Sequence, residues 1–204
     1  MYYSANQLII NRFQSEWNGS TSELAALQNE LVQLAYHVDS FDANQFANYS
    51  MSLILHYLKE SHDYYSEYYL PKMELAIASL KHSLPDSHAV YVLELFYSGY
   101  KNEFLEHIEL EERKLFPYAE SLLNGESSIN YCVALFEEQH DHEIEDQLES
   151  VVSLIQNEYP EVTVDFAFRS FENLLDSFRL DIEIHHRIEE HVFLKRIKDL
   201  ESRF

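Results

Sequence analysis

The sequence predicts an all-α protein, an up-down-up-down four-helix bundle preceded by a short helical segment. The 204 residues include only 3 Gly and 4 Pro, which leaves few of the tight turns that a sheet-rich fold needs. Apolar residues recur at intervals of three and four over long stretches, and turn residues are concentrated in the short breaks between them. Short connections make successive helices antiparallel, which predicts the bundle.

The elements follow in order along the chain. Residues 1–43 are predicted to form the short helical segment, in which Ser20 and Glu23 make a capping box that opens a helix over 24–38. Residues 44–204 are predicted to form the bundle. Its long helices, which we name A, B, C and D, are predicted at about 44–82, 87–123, 127–158 and 163–200. Pro71 in A and Pro117 in B each predict a kink.

Charge and cysteine content exclude several classes of partner. Thirty-six acidic against 14 basic residues give a net charge of −22, which repels nucleic-acid phosphates and anionic membrane surfaces. We therefore predict no nucleic-acid and no membrane partner. Cys132, the single cysteine, cannot form an internal disulfide, and this favours a reducing, cytoplasmic location.

Polar residues interrupt the apolar stripe of every long helix. They are His62 on A, His107 and Glu111 on B, His140 on C, and His185 and Glu189 on D. These side chains would project into the bundle core. A buried carboxylate without a partner is very costly, so a metal ion or a polar network must satisfy them.

An internal repeat groups the same residues. The pair His107 and Glu111 recurs 78 residues later as His185 and Glu189, and His62 recurs at the same offset as His140. The distances of these residues from the intervening turns place all six at one level of the core. The spacing alone is weak evidence, because pairs of a histidine and a glutamate four residues apart also arise by chance. The shared 78-residue offset, the common level in the core and the position on the core-facing side of each helix together favour a metal site over a metal-free polar network.

The ligand types indicate which metal. Imidazole nitrogens with bridging carboxylates suit iron or manganese better than calcium or structural zinc. Glu111 and Glu189 can each span two ions, so two ions with a solvent-derived bridge and an open position are predicted. Glu112 and Glu190 lie about 100° further round their helices and are expected to matter less. His82, near the turn between A and B, is a further candidate ligand if helix A bends.

The pattern His-Asp, His-x-x-x-Glu-Glu-x-x-Leu-Phe-Pro, His-Asp, His-x-x-x-Glu over residues 44–200 resembles the hemerythrin-like HHE cation-binding family, and most closely its RIC (repair of iron centres) branch. The resemblance implies two oxo- or hydroxo-bridged iron ions, with manganese or a mixed pair as the alternative. The ligands that it implies are His62, His107, Glu111, His140, His185 and Glu189, with His82 as an additional histidine.

The resemblance also implies a function in repairing or protecting iron centres under nitrosative or oxidative stress, with O₂ or NO as small ligands and iron–sulfur proteins as candidate partners. The alternatives are an O₂- or NO-binding carrier or sensor that uses the same site, and an interaction module with a structural metal. Two departures from the family pattern stand out. Residues 1–43 lack the Cys pair of the family's N-terminal domain, and helix D continues as Phe193-Leu-Lys instead of Leu-Phe-Pro.

Overall fold

The computed structural model of the chain describes residues 12–13, 17–126, 131–139 and 144–203. Within these ranges all regular structure is helical and no strand is present, which confirms the predicted all-α class. None of the helices in the same ranges combines the length and the apolar character that crossing a lipid bilayer requires.

The N-terminal segment contains helix α1 (Thr21–Tyr36), followed by short 3₁₀ helices at Val38–Ser40 and Ala43–Phe46. The predicted N-cap is confirmed, because the Ser20 hydroxyl accepts a hydrogen bond from the backbone N–H of Glu23. The Glu23 carboxylate instead accepts from the backbone N–H of Ser50. The capping glutamate therefore ties α1 to the start of the next helix.

Helices B and D lie within three residues of their predicted bounds, whereas helix A begins at Met51 and not at about 44, because Ala43–Phe46 forms a separate 3₁₀ helix. Three of the long helices contain a π-helical segment. In chain order the elements are α2 (Met51–Tyr64), the first π segment (Tyr65–Tyr69), α3 (Leu70–Ser83), α4 (His88–Leu110), the second π segment (Glu111–Leu115), α5 (Phe116–Leu123), α6 (Val133–Gln139), α7 (Ile144–Glu158), α8 (Pro160–Thr163), α9 (Phe166–Ile188), the third π segment (Glu189–Leu194) and α10 (Lys195–Glu201). Parts of predicted helix C, at 127–130 and 140–143, lie outside the described residues.

Two of the π segments are each followed by a proline. Pro71 and Pro117 each occur six residues after the start of a π segment. A proline has no N–H and its ring clashes with the carbonyl four residues earlier, so a helix that continues past it must locally change its hydrogen-bond pattern. The third segment forms without a proline, because Lys195 takes the corresponding place and donates its N–H to Val192.

By their contacts the residues group into two compact units. The first unit comprises the chain up to Tyr64, Glu111–Gln139 and the chain from Leu180 onward, and the second comprises Tyr65–Leu110 and His140–Arg179. The predicted boundary at residue 43 remains a prediction, and α1 belongs to the first unit.

The first unit buries apolar faces of α1, α2, α5 and α10. Leu27, Leu58, Phe116 and Ile197 are fully buried there, and burial of each such side chain contributes about 1.5–3 kcal/mol. Arg196 on α10 donates hydrogen bonds to the backbone carbonyls of Phe46, Ala47 and Tyr49. This arginine satisfies carbonyl groups at the end of the second 3₁₀ helix.

The second unit has a core rich in aromatic rings. Tyr65, Tyr69 and Phe104 surround the fully buried Phe178, with ring centroids 5.2–5.5 Å from it. Such separations are those of favourable aromatic pairs. Tyr97 is largely buried in the same unit and donates its hydroxyl to the carbonyl of Leu70, so its polar end is satisfied.

Candidate metal centre

Three of the predicted ligands lie together in the first unit. His62 comes from the last turn of α2, Glu111 opens the second π segment, and His185 lies in the last turn of α9. Their exposed fractions are 3%, 0% and 2%. One ligand atom from each lies within 4.8 Å of those of the others. The group could therefore hold a metal ion.

The two histidine rings approach the carboxylate and each other closely. Nε2 of His62 lies 3.1 Å from Oε2 of Glu111, and the ring centroids of His62 and His185 are 5.0 Å apart. On its face, the His62 ring stacks on Phe116 at 5.2 Å with an interplanar angle of 19°. This packing holds the imidazole in one orientation.

Glu189 borders the same group. Its side chain is buried, and its Oε2 lies 3.9 Å from Nε2 of His185, one helical turn away. Its other oxygen, Oε1, is buried and makes no hydrogen bond within the described part of the chain. A buried carboxylate oxygen of this kind is costly unless a further group satisfies it, and a metal ion fits that requirement.

Glu112 contacts the opposite edge of His62. Its Oε1 lies 2.9 Å from Nδ1 of His62, while the Glu112 side chain remains 36% exposed. His62 is thus bracketed by two consecutive glutamates, one at each ring nitrogen. The spacing of the sequence favoured Glu111 over Glu112, and burial agrees with that choice, but spacing did not indicate the contact between Glu112 and His62.

Burial and neighbouring charge shift the pKa values of the group. Burial lowers the pKa of His62, but the carboxylates of Glu111 and Glu112 outweigh burial and raise this pKa to about 9. Burial, and then the charge of His62, lower the pKa of His185 well below its usual range. Burial, and then the charge of Glu111, raise the pKa of Glu189 well above its usual range.

These shifts describe the protons that a metal would replace. Near neutral pH without metal, His62 carries a proton between two carboxylates and Glu189 is held toward its neutral form. Metal ligands bind in their deprotonated forms, so a cation entering the group would take the place of these protons. Two imidazoles with carboxylates form a nitrogen and oxygen donor set that suits a first-row transition metal.

Helical register brings the carboxylates to the site. Glu111 and Glu189 are each the first residue of a π segment, at the end of an α-helix that carries the preceding histidine. The 78-residue repeat that relates helices B and D is thus also a repeat of secondary structure. π turns inside α-helices are frequent at functional sites, and here one begins at each of the two buried glutamates.

The other predicted ligands are placed differently. His107, in the last turn of α4, is half-buried and stacks on Phe104 at 6.3 Å, and His82 is exposed near the end of α3. Neither belongs to the group of three that could hold a metal, and ligation by either remains a prediction. His140 lies outside the described residues, so the four-histidine set is also a prediction.

A buried ion pair beside this group had no signal in the sequence. Arg12 is 2% exposed and pairs with Asp181, one turn before His185 on α9. Arg12 also donates to the hydroxyl of Ser61 at 3.1 Å and lies over the ring of Tyr57 at 5.3 Å. The sequence predicted only short helices in the N-terminal segment and gave no indication that Arg12 is buried.

Comparison with known proteins adds no relative. No family model matches the chain, and neither a curated protein nor a solved structure matches it. The class of site defined by the structure is therefore a buried histidine–glutamate group in an all-helical chain that could bind a metal ion.

Proposed function

We propose that this chain is a non-heme di-iron protein that repairs or protects iron centres under nitrosative or oxidative stress. The observation that carries the proposal is the buried group of His62, Glu111 and His185, with ligand atoms within 4.8 Å of one another. The buried and unsatisfied oxygen of Glu189 beside it supports a second carboxylate ligand.

The proposed centre is larger than the group of three. His107 and His140 are proposed to complete it in a hemerythrin-like bundle of up-down-up-down topology, with His82 as a candidate for one further position. Two glutamates on helices B and D each have two carboxylate oxygens, so both can bridge a pair of ions. The proposed location is the cytoplasm, where the single Cys132 would remain reduced.

The protein's own contribution would be to hold, orient and shield the ions. Bound ferrous iron would supply redox chemistry and affinity for O₂ or NO. The side chains of His62, Glu111, His185 and Glu189 are at most 3% exposed, so solvent reaches the site poorly. Stacking of His62 on Phe116 fixes one ligand before metal arrives, which limits the reorganisation that binding requires.

Metal analysis tests the proposal. Protein purified without oxygen and reconstituted with ferrous iron should contain about two iron ions per chain. Glu111→Gln and Glu189→Gln should each lose at least one ion. Glu190→Gln is the matched control, because Glu190 follows Glu189 directly but its side chain is 60% exposed, and it should retain both ions. A wild-type protein that takes up no iron would contradict the proposal.

Exposure to NO separates repair from transport. The iron-loaded protein, mixed with an iron–sulfur protein damaged by NO, should restore the absorbance of the damaged cluster faster than the Glu111→Gln variant does. Reversible NO binding without any such recovery would instead identify an NO or O₂ carrier. The same optical spectrum would report both results.

A further inference from the structure

The two ring nitrogens of His62 face two different carboxylates. Nε2 lies 3.1 Å from Glu111 and Nδ1 lies 2.9 Å from Oε1 of Glu112. An ionised carboxylate only accepts hydrogen bonds, so the contact with Glu112 requires the hydrogen to be on Nδ1. The same rule applies to Nε2 and Glu111, so both ring nitrogens carry a hydrogen in the metal-free protein. A metal ion beside the buried Glu111 would replace the hydrogen on Nε2 and leave the one on Nδ1 with Glu112.

We propose that Glu112 is a positioning residue for the metal centre, which holds the proton on Nδ1 of His62 and thereby presents Nε2 to the metal beside Glu111. This inference rests on the proposed function, because it requires His62 to bind a metal. Histidine ligands commonly donate their second N–H to a carboxylate, which fixes the tautomer and the ring orientation and increases the basicity of the ligand.

The environment of Glu112 suits this role. Its side chain is 36% exposed, so water still reaches the carboxyl group and the contact with His62 avoids the full desolvation cost of a buried pair. Glu112 and Phe116 are separated by one helical turn, and both contact His62, one at the edge and the other on the face of the ring. Together they restrict both the position and the rotation of the imidazole.

The internal repeat supplies a comparison within the same chain. Glu190 occupies the position equivalent to Glu112, 78 residues later. Its side chain is 60% exposed, and its Oε2 lies 3.9 Å from Nε2 of His191, which is half-buried. Glu190 is thus a glutamate at the repeated position whose carboxylate faces His191, a histidine outside the proposed ligand set. Glu190 therefore controls for the loss of one negative charge near the site.

Zinc and cobalt binding tests the inference without any activity measurement. The dissociation constants of Zn²⁺ and Co²⁺ are measured by competition with a chelator for the wild type, Glu112→Ala, Glu112→Gln and Glu190→Ala. We expect Glu112→Ala to weaken binding about 10–100-fold and Glu190→Ala to leave it within about threefold. Glutamine keeps an oxygen that can accept from Nδ1, so Glu112→Gln should recover part of the loss.

Nitrogen-15 NMR of the zinc-loaded protein gives a readout that a general loss of stability would not change in this way. The wild type and Glu112→Gln should show the Nδ1–H tautomer of His62 with its proton protected from exchange. In Glu112→Ala that proton should exchange faster, because only water remains to accept from it.

The outcomes separate this inference from the proposed function. A wild-type protein that binds neither metal overturns both. Binding by the wild type with no loss in Glu112→Ala, or an equal loss in Glu190→Ala, overturns the role of Glu112 alone. Circular dichroism of the metal-free form shows whether Glu112→Ala folds. If it does not, the tautomer of His62 and the metal affinity in Glu112→Gln test the role of Glu112 instead. Metal binding through Nδ1 of His62 in that variant contradicts the role.

Discussion

Arg12 is a buried cation, and its partner Asp181 is equally remote from water, with exposed fractions of 2% and 6%. Removing one member of a buried pair leaves an uncompensated charge, which costs about 3–5 kcal/mol. We therefore expect Arg12→Met to lower the free energy of unfolding by that amount, as measured by urea denaturation.

The double variant Arg12→Met with Asp181→Leu should recover most of this loss, because no buried charge remains. The pair Lys59 and Glu120 is the matched control. Its nitrogen and oxygen are 2.6 Å apart, but both side chains are about one third to one half exposed. Lys59→Met should cost less than about 1 kcal/mol. Equal costs in the two pairs would contradict the structural role given to Arg12.

His62 predicts how the stability of the metal-free protein depends on pH. Its pKa is raised from 6.5 to about 9 in the folded state, so the folded protein binds this proton more tightly than the unfolded chain does. The resulting stability is fully present below pH 6.5 and is lost as pH rises to 9. At about 1.4 kcal/mol per pKa unit, metal-free protein should lose a few kcal/mol over this range.

The measurement is chemical denaturation at several pH values after the metal has been removed with a chelator. Glu189 adds to the loss, because its raised pKa also makes the folded protein hold a proton more tightly than the unfolded chain does. His185, whose pKa is lowered, opposes the loss only near pH 6.5, where the unfolded imidazole still carries part of a proton. Glu112→Gln removes one of the charges that raise the pKa of His62, so its loss between pH 6.5 and 9 should be smaller. A stability independent of pH in the wild type would contradict the protonated state of His62.

Sequence periodicity could predict which residues are buried but not all of their partners. His62, Glu111, His185 and Glu189 interrupt apolar stripes, and the structure buries all four. The helical period is a local property that a sequence displays directly. By contrast, the partners Arg12 and Asp181 are 169 residues apart, and the contact of Glu112 with His62 depends on side-chain rotamers. Neither feature leaves a periodic signal.

At the scale of the elements, turn chemistry predicted the ends of helices B and D to within three residues, but it placed the start of helix A about seven residues too early. The predicted range 87–123 compares with α4 through α5 at 88–123, and 163–200 compares with α9 through α10 at 166–201. The π segments were not predicted. Pro71 and Pro117 indicated an irregularity, but the segment at Glu189–Leu194 has no proline, so tertiary packing must decide its hydrogen-bond pattern.

The comparison between Pro117 and Lys195 makes this point testable. Lys195 stands 78 residues after Pro117, and a π segment precedes both. Because the third segment forms without a proline, we expect Pro117→Ala to retain the second segment and its Glu111. Metal content should be unchanged, and the free energy of unfolding should shift by less than about 1 kcal/mol, since the π hydrogen-bond pattern before this proline already accommodates a residue without an N–H.

Metal analysis and urea denaturation of Pro117→Ala are the measurements. Lys195→Ala is the control, since it changes the equivalent position where no proline is present. Loss of iron from Pro117→Ala, with normal iron in Lys195→Ala, would show that the proline itself imposes the local geometry of Glu111.

At the scale of the whole molecule, the net charge of −22 affects every measurement with a divalent cation. Any such ion screens repulsion among the carboxylates and stabilises the folded state to some degree. Binding at a specific site adds a further term that rises with the logarithm of the ion concentration and is about 2.7 kcal/mol at 100 times the dissociation constant. For a chain of this size, this corresponds to a rise in Tm of roughly 5–10 °C.

We therefore expect Zn²⁺ to raise Tm by that amount over an equal concentration of Mg²⁺, which suits oxygen-only sites. Scanning calorimetry or thermal circular dichroism measures the difference. In Glu111→Gln the two cations should give nearly the same Tm, because only screening remains. A difference that persists in that variant would place the metal elsewhere in the chain.

The π segments determine how insertion or deletion of one residue would change the helices that contain them. A π turn closes its hydrogen bonds over one residue more than an α turn, so each segment amounts to a one-residue insertion in an otherwise regular helix. Deleting one residue between Arg113 and Leu115 would restore α-helical register and rotate Glu111 by about 100° relative to α5. A relative that lacks the extra residue would therefore align with this chain through a single one-residue gap at this point. In such a relative, the glutamate that corresponds to Glu111 would no longer face the histidine that corresponds to His62.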